Sequence, residues 1–120
     1  ICTDGGLQDR HPRGAGSFPR VLGRYVRDLQ LMRLEEGIHK MTGLPARHLG
    51  FTNRGLIKPG YQADLVLLDP KTVADRATTA EPFLSSSGIT AVWVNGEAVL
   101  HKGAFVGAYP GQVIRRTAAP

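Results

Sequence analysis

Apolar positions in the first half of the chain recur with a helical period. Phe18, Val21, Leu22, Tyr25, Val26 and Leu29 fall at i, i+3, i+4 and i+7 spacings, the signature of one buried helical face. They predict a helix over about 18–29, with Arg20, Arg24 and Arg27 on the opposite side. Ser17 suits the N-cap and Pro19 the first turn, where a missing N–H costs little. Gly23 weakens this helix by roughly 1 kcal/mol relative to alanine, or marks a close packing contact. A second helix is expected over 34–42, with Leu34, Ile38 and Met41 on one face and Gly43 as its stop. A third, over 45–49, has Pro45 in its first turn and Gly50 as its cap. Ahead of the helices, residues 1–4 read as a strand end. Residues 5–17, with four glycines and a proline, read as a long loop of the kind that is often functional.

Beyond Phe51 the period changes. The run ADLVLLD (63–69) is a near-continuous apolar strand stopped by Pro70. Residues 89–103, ITAVWVNGEAVLHKG, read as strand, turn, strand. Asn95-Gly96 accepts the positive φ angles of a type I′ hairpin. Trp93 alternates with Ala91 and Ile89 and is expected to be buried on their side. AFVG, starting at Ala104, suits a further short strand, 70–88 an extended surface connection, and TAAP (117–120) a frayed end.

Composition narrows the classes. Hydrophobic residues make up 42% of the 120 positions, enough for one modest domain with a core and too many for a disordered chain. No apolar run approaches membrane-spanning length, so no membrane partner is expected. The net charge of +5 is spread over scattered arginines, and no basic run exceeds Arg115-Arg116. That footprint is not the clustered patch of a nucleic-acid binder. The single cysteine, Cys2, excludes an internal disulfide and suits a reducing, cytoplasmic setting. His39 and His48 stand singly on the expected helices and His101 on the expected hairpin; a zinc site needs several convergent donors. All three histidines are read as structural.

Asp4 raises the chemical question. A carboxylate at the C-terminal end of a barrel strand is where (β/α)₈ enzymes place their chemistry, yet eight βα units take roughly 250 residues. The chain is therefore expected to be the tail of something larger. The stretches TDGG (3–6), HPRGAGSFPRVLGRYVRD (11–28), KMTGLPARHLGF (40–51), RGLIKPGYQADLVLLDP (54–70), VADRAT (73–78) and VWVNGEAV (92–99) resemble the C-terminal quarter of N-acyl-D-amino-acid deacylases. These D-aminoacylases belong to the metal-dependent amidohydrolase superfamily. The resemblance covers about residues 3–116. The pattern around 55–69 marks only the superfamily, whereas HPR…FPRVLGRYVR and VADRAT point to the D-aminoacylase branch.

The resemblance implies an α/β plus β fold. Residues 1–51 would supply the last strand, active-site loop and closing helices of a (β/α)₈ barrel, and 52–120 the C-terminal strands of a small β-sandwich. It implies hydrolysis of the amide bond of an N-acyl-D-amino acid at a zinc centre, with Asp4 both at the metal and as general base and acid. Zinc brings the pKa of bound water near 7, and a neighbouring carboxylate can take its proton and pass it to the departing amine. Arg13, in the loop after Asp4, suits a substrate carboxylate, and His11 a nearby hydrogen bond. Cys2, two residues before Asp4, is expected to be a small buried thiol. The family's His-x-His pair is absent from the sequence, so this chain alone is expected to hold no zinc and to be inactive. It would associate as a homo-oligomer or with the rest of the enzyme. The alternative is a non-catalytic helix-plus-β module serving assembly or complementing another chain.

Overall fold

The computed structural model describes residues 1–6, 8 and 10–115, and the end expected to fray at 117–120 lies outside them. Helix α1 spans Arg13–Arg20, earlier than the apolar period placed it. His11 is the reason: its Nδ1 accepts the Arg13 N–H at 3.1 Å, filling one of the orphan donors of a first turn. Ser17 is therefore inside the helix, and its hydroxyl donates back to the Arg13 carbonyl at 2.8 Å. Pro19 is interior too. A proline there removes an N–H to the carbonyl four residues back, and the Ser86 hydroxyl donates to that Ala15 carbonyl at 3.4 Å. After Arg20 the winding widens into a π-helix, Val21–Asp28.

Helix α2 spans Leu34–Met41, and the Glu36 carboxylate accepts the Arg33 N–H at 2.9 Å across its first turn. That bond holds the Glu36 carboxyl below its ordinary pKa. Thr42 breaks the helix (φ −127°, ψ −87°) and α3 resumes at once over Gly43–His48, so Gly43 starts a helix as well as following one. Gly50, at φ +75°, follows α3 where a left-handed cap was expected.

Among the described residues four strands form one antiparallel sheet in chain order: β1 Leu65–Leu68, β2 Ile89–Val94, β3 Glu97–His101 and β4 Ala104–Phe105. Asn95 and Gly96 take φ +50° and +85° at the hairpin, as the sequence predicts. A polar knot fixes this turn. The Asn95 N–H donates to Asp64 Oδ1 at 2.8 Å, and its amide bridges Arg54 Nη2 and the Pro110 carbonyl, each at 2.8 Å. Arg54 also pairs with Asp64.

The stretch 70–88 runs largely over the surface, as its polarity suggested, but it turns inward at Val73. Asp69 folds it back: its carboxylate accepts the Lys71 N–H and the Thr72 hydroxyl, both at 2.9 Å. Val73 is thereby carried inward and is the most buried large side chain of the described residues, 1% exposed. A Cβ on Gly23 would stand 2.6 Å from the Val73 carbonyl, and one on Gly88 2.4 Å from its nitrogen. Gly23 is thus a close contact between helix and joint. Arg27 ties the same place from the other side, donating to the Val73 carbonyl at 2.7 Å. The core is small: Val21, Leu22, Ala46, Val73 and Ala91.

Other expectations change. Residues 1–6 form no strand, because no β-strand of the described residues lies beside them to share hydrogen bonds. Cys2 is consequently exposed, not buried. Phe18, Tyr25 and Leu29 are exposed; the widened turn and a joint that covers only Val21, Leu22 and Gly23 leave the rest of the apolar face open. Ile89 and Trp93 are half-buried, and Ala91 alone on that side is fully covered. No helix of the described residues is long and apolar enough to cross a membrane.

Candidate active site

The segment carrying Asp4 lies across the first turn of α1. The contact depends on two glycines: a Cβ on Gly5 would stand 2.8 Å from the Gly14 Cα. A backbone this close admits no side chain. Asp4 itself adopts φ +51°, a left-handed conformation that aspartate tolerates better than most residues. The turn sets its carboxylate toward α1, where Asp4 Oδ2 meets Arg13 Nη1 at 3.3 Å. The Asp4 side chain is 84% exposed, so one pair with a guanidinium leaves most of the carboxylate open.

His11 and Arg13 both border a cavity of about 260 Å³, together with Gly16, Ser17, Arg20 and Asp75. Because His11 Nδ1 accepts a backbone N–H, its proton in the neutral ring belongs on Nε2. Arg20 and Asp75 pair across the cavity wall at 3.1 Å. Asp4 stands outside this lining, joined to it through Arg13. The three residues singled out in the sequence are therefore neighbours. Asp75 was not singled out, although VADRAT was marked as specific; its polar look disguised a segment folded inward.

His39, His48 and His101 are exposed and apart from this cavity. Among the described residues no three histidine, cysteine or acidic side chains come together. A zinc site takes three or four protein ligands, so the donors among the described residues do not by themselves fit one.

Comparison with known proteins places the chain in one family. The amidohydrolase family model matches residues 2–100. The D-aminoacylase of Alcaligenes xylosoxydans xylosoxydans is 52% identical over 99% of this chain and 25% of its own length. A solved D-aminoacylase mutant in complex with copper chloride superposes with a TM-score of 0.85 at 52% identity, over 88% of this chain and 22% of the other. The N-acyl-D-glutamate deacylase of Bordetella bronchiseptica was solved with zinc and a phosphonate that mimics the tetrahedral intermediate. It superposes at 0.73 with 51% identity, over 78% of this chain and 22% of its own. The chain thus spans about a quarter of the length of these relatives. Within that span, identity and backbone agree, and the chain belongs to the amidohydrolase family.

Proposed function

We propose that this chain carries part of the active site of a zinc-dependent N-acyl-D-amino-acid deacylase. The observation that carries the reading is the Asp4–Arg13 pair at 3.3 Å, which joins an open carboxylate to the cavity that Arg13 and His11 line. Asp4 supplies an open carboxylate. In amide hydrolysis it takes the proton of the attacking water on an Oδ and returns it to the departing amine nitrogen. Arg13 presents N–H donors in a fixed fork, the geometry that pairs with a substrate carboxylate. His11 can donate from Nε2 toward the same substrate. The metal's contribution, a more acidic water, depends on ligands beyond those that the described residues bring together.

In this reading residues 1–51 belong to the end of a (β/α)₈ barrel and 52–120 to a small β-sandwich. The antiparallel sheet that begins at Leu65 supports the second part. One cysteine and no disulfide suit a cytoplasmic protein. The exposed apolar faces favour a second reading, a non-catalytic module whose role is assembly.

One experiment separates the two. This chain replaces the matching quarter of the Alcaligenes D-aminoacylase, and the chimera is assayed on N-acetyl-D-methionine. The deacylase reading expects turnover of the D substrate that depends on Asp4. A folded, zinc-loaded chimera without turnover would leave the assembly reading standing.

A further inference from the structure

Two of the stretches most specific to the D-aminoacylase branch, 11–28 and 73–78, meet at one point. Gly16 seats Asp75: a Cβ there would lie 3.1 Å from the Asp75 Cβ. One turn on, the Arg20 Nε donates to Asp75 Oδ2 at 3.1 Å. Asp75 is the more covered partner, with its side chain 19% exposed against 46% for Arg20. Arg13, Gly16 and Arg20 follow at i, i+3 and i+7 and so share one face of α1. Asp75 presses on the face whose first turn sends Arg13 to Asp4 and holds His11 as its cap. An ion pair this open to water adds little to global stability. It does favour one direction, because sliding the helix would lift Gly16 off Asp75 and turning it would carry Arg20 away from that carboxylate.

We propose that Asp75 is a positioning residue: through Arg20 and the seat at Gly16 it sets where α1 stands, and so where Arg13 meets Asp4 and the substrate's carboxylate. The consequence for the substrate rests on the reading of Arg13 given above; the clamp itself does not. A small misplacement of a binding group is costly to the reaction, and a group that binds substrate throughout is felt mainly in KM.

Two measurements test this. In the 120-residue chain, Asp75→Asn should speed hydrogen exchange at the Gly14 and Gly16 amides about fivefold, the scale set by loss of a part-exposed ion pair. The sheet amides of Val92 and Leu100 should be unmoved. In the chimera, Asp75→Asn should raise KM for N-acetyl-D-methionine about tenfold, with kcat changed less than about twofold. The Arg20→Asp/Asp75→Arg double swap should recover most of the loss. Arg20→Gln, at a more exposed position, should reproduce the KM rise should Asp75→Asn fail to fold. An unchanged KM with a lowered melting temperature would overturn positioning and leave a merely structural pair. If the unmutated chimera is inactive, the deacylase reading fails on its own. Exchange then decides the clamp, and wild-type rates at Gly14 and Gly16 in Asp75→Asn would overturn it.

Discussion

Asp4 combines two properties that make it unusually easy to test. Its backbone is left-handed, at φ +51°, and asparagine occupies that region as readily as aspartate. Its side chain is mostly exposed, so no core depends on it. Asp4→Asn therefore removes a proton acceptor and one charge while leaving the local structure in place. General acid–base catalysis contributes typically about 10²–10⁴-fold. In the chimera kcat should fall by at least about a hundredfold, with melting unchanged. A variant with near-normal kcat would take Asp4 out of the chemistry. The glycines around it carry a different burden: Gly5 lets the Asp4 segment touch Gly14, and without that approach Arg13 is out of reach.

At the scale of elements, the decisive object is the joint between helices and sheet. Gly23→Ala should be favourable by helix propensity alone, by roughly 1 kcal/mol. Here the new methyl would stand 2.6 Å from the Val73 carbonyl, and overpacking of this kind typically costs about 1–3 kcal/mol. Urea melting of the chain should show net destabilisation; a stabilised variant would mean that the joint is loose. Acid should loosen the same joint. The Lys71 N–H, with the Thr72 hydroxyl, holds the Asp69 carboxyl below its ordinary 3.8. The folded state therefore favours the ionised form, and the gain is present above that ordinary value. It is lost as pH falls through the lowered one. Protection of the Val73 amide, relative to its intrinsic exchange rate at each pH, should fall on acidification below pH 4, and Asp69→Asn should flatten that response. The joint also explains what could and could not be read from sequence. Asn95-Gly96 announced its hairpin because a local φ requirement is written in two residues. The helical period at Val21 and Leu22 was legible for the same reason. The start of α1 was not, because a histidine side chain does the capping usually left to serine. Val73 was hidden among polar neighbours: the Asp69 carboxylate folds the chain inward through Lys71 and Thr72, and periodicity carries no trace of that. Asp4 and Arg13 were visible only as residue types, and their meeting needed the Gly5–Gly14 approach.

The whole molecule is under-buried for its size. Its accessible surface is 8758 Å², about 2,400 Å² more than a compact monomer of this mass presents. The excess shows as exposed Leu31, Ile57, Val66, Leu67 and Val113. Standard interfaces bury about 800 Å² per partner, so this surface can engage more than one neighbour. At micromolar concentration the purified chain should scatter as a species heavier than its 12.9 kDa monomer; a cooperatively melting monomer would contradict that. Dialysed against metal-free buffer, it should keep no stoichiometric zinc, since one carboxylate is not a site. The most direct test of the account is reconstitution. The chain is mixed with the Alcaligenes D-aminoacylase lacking its matching quarter, in the presence of zinc, and N-acetyl-D-methionine hydrolysis is followed as the ratio is raised. The account predicts no turnover by either polypeptide alone, activity that saturates near equimolar mixing, and none when the chain carries Asp4→Asn. Turnover by the chain alone, or equal rates with wild-type and Asp4→Asn chains, would contradict it.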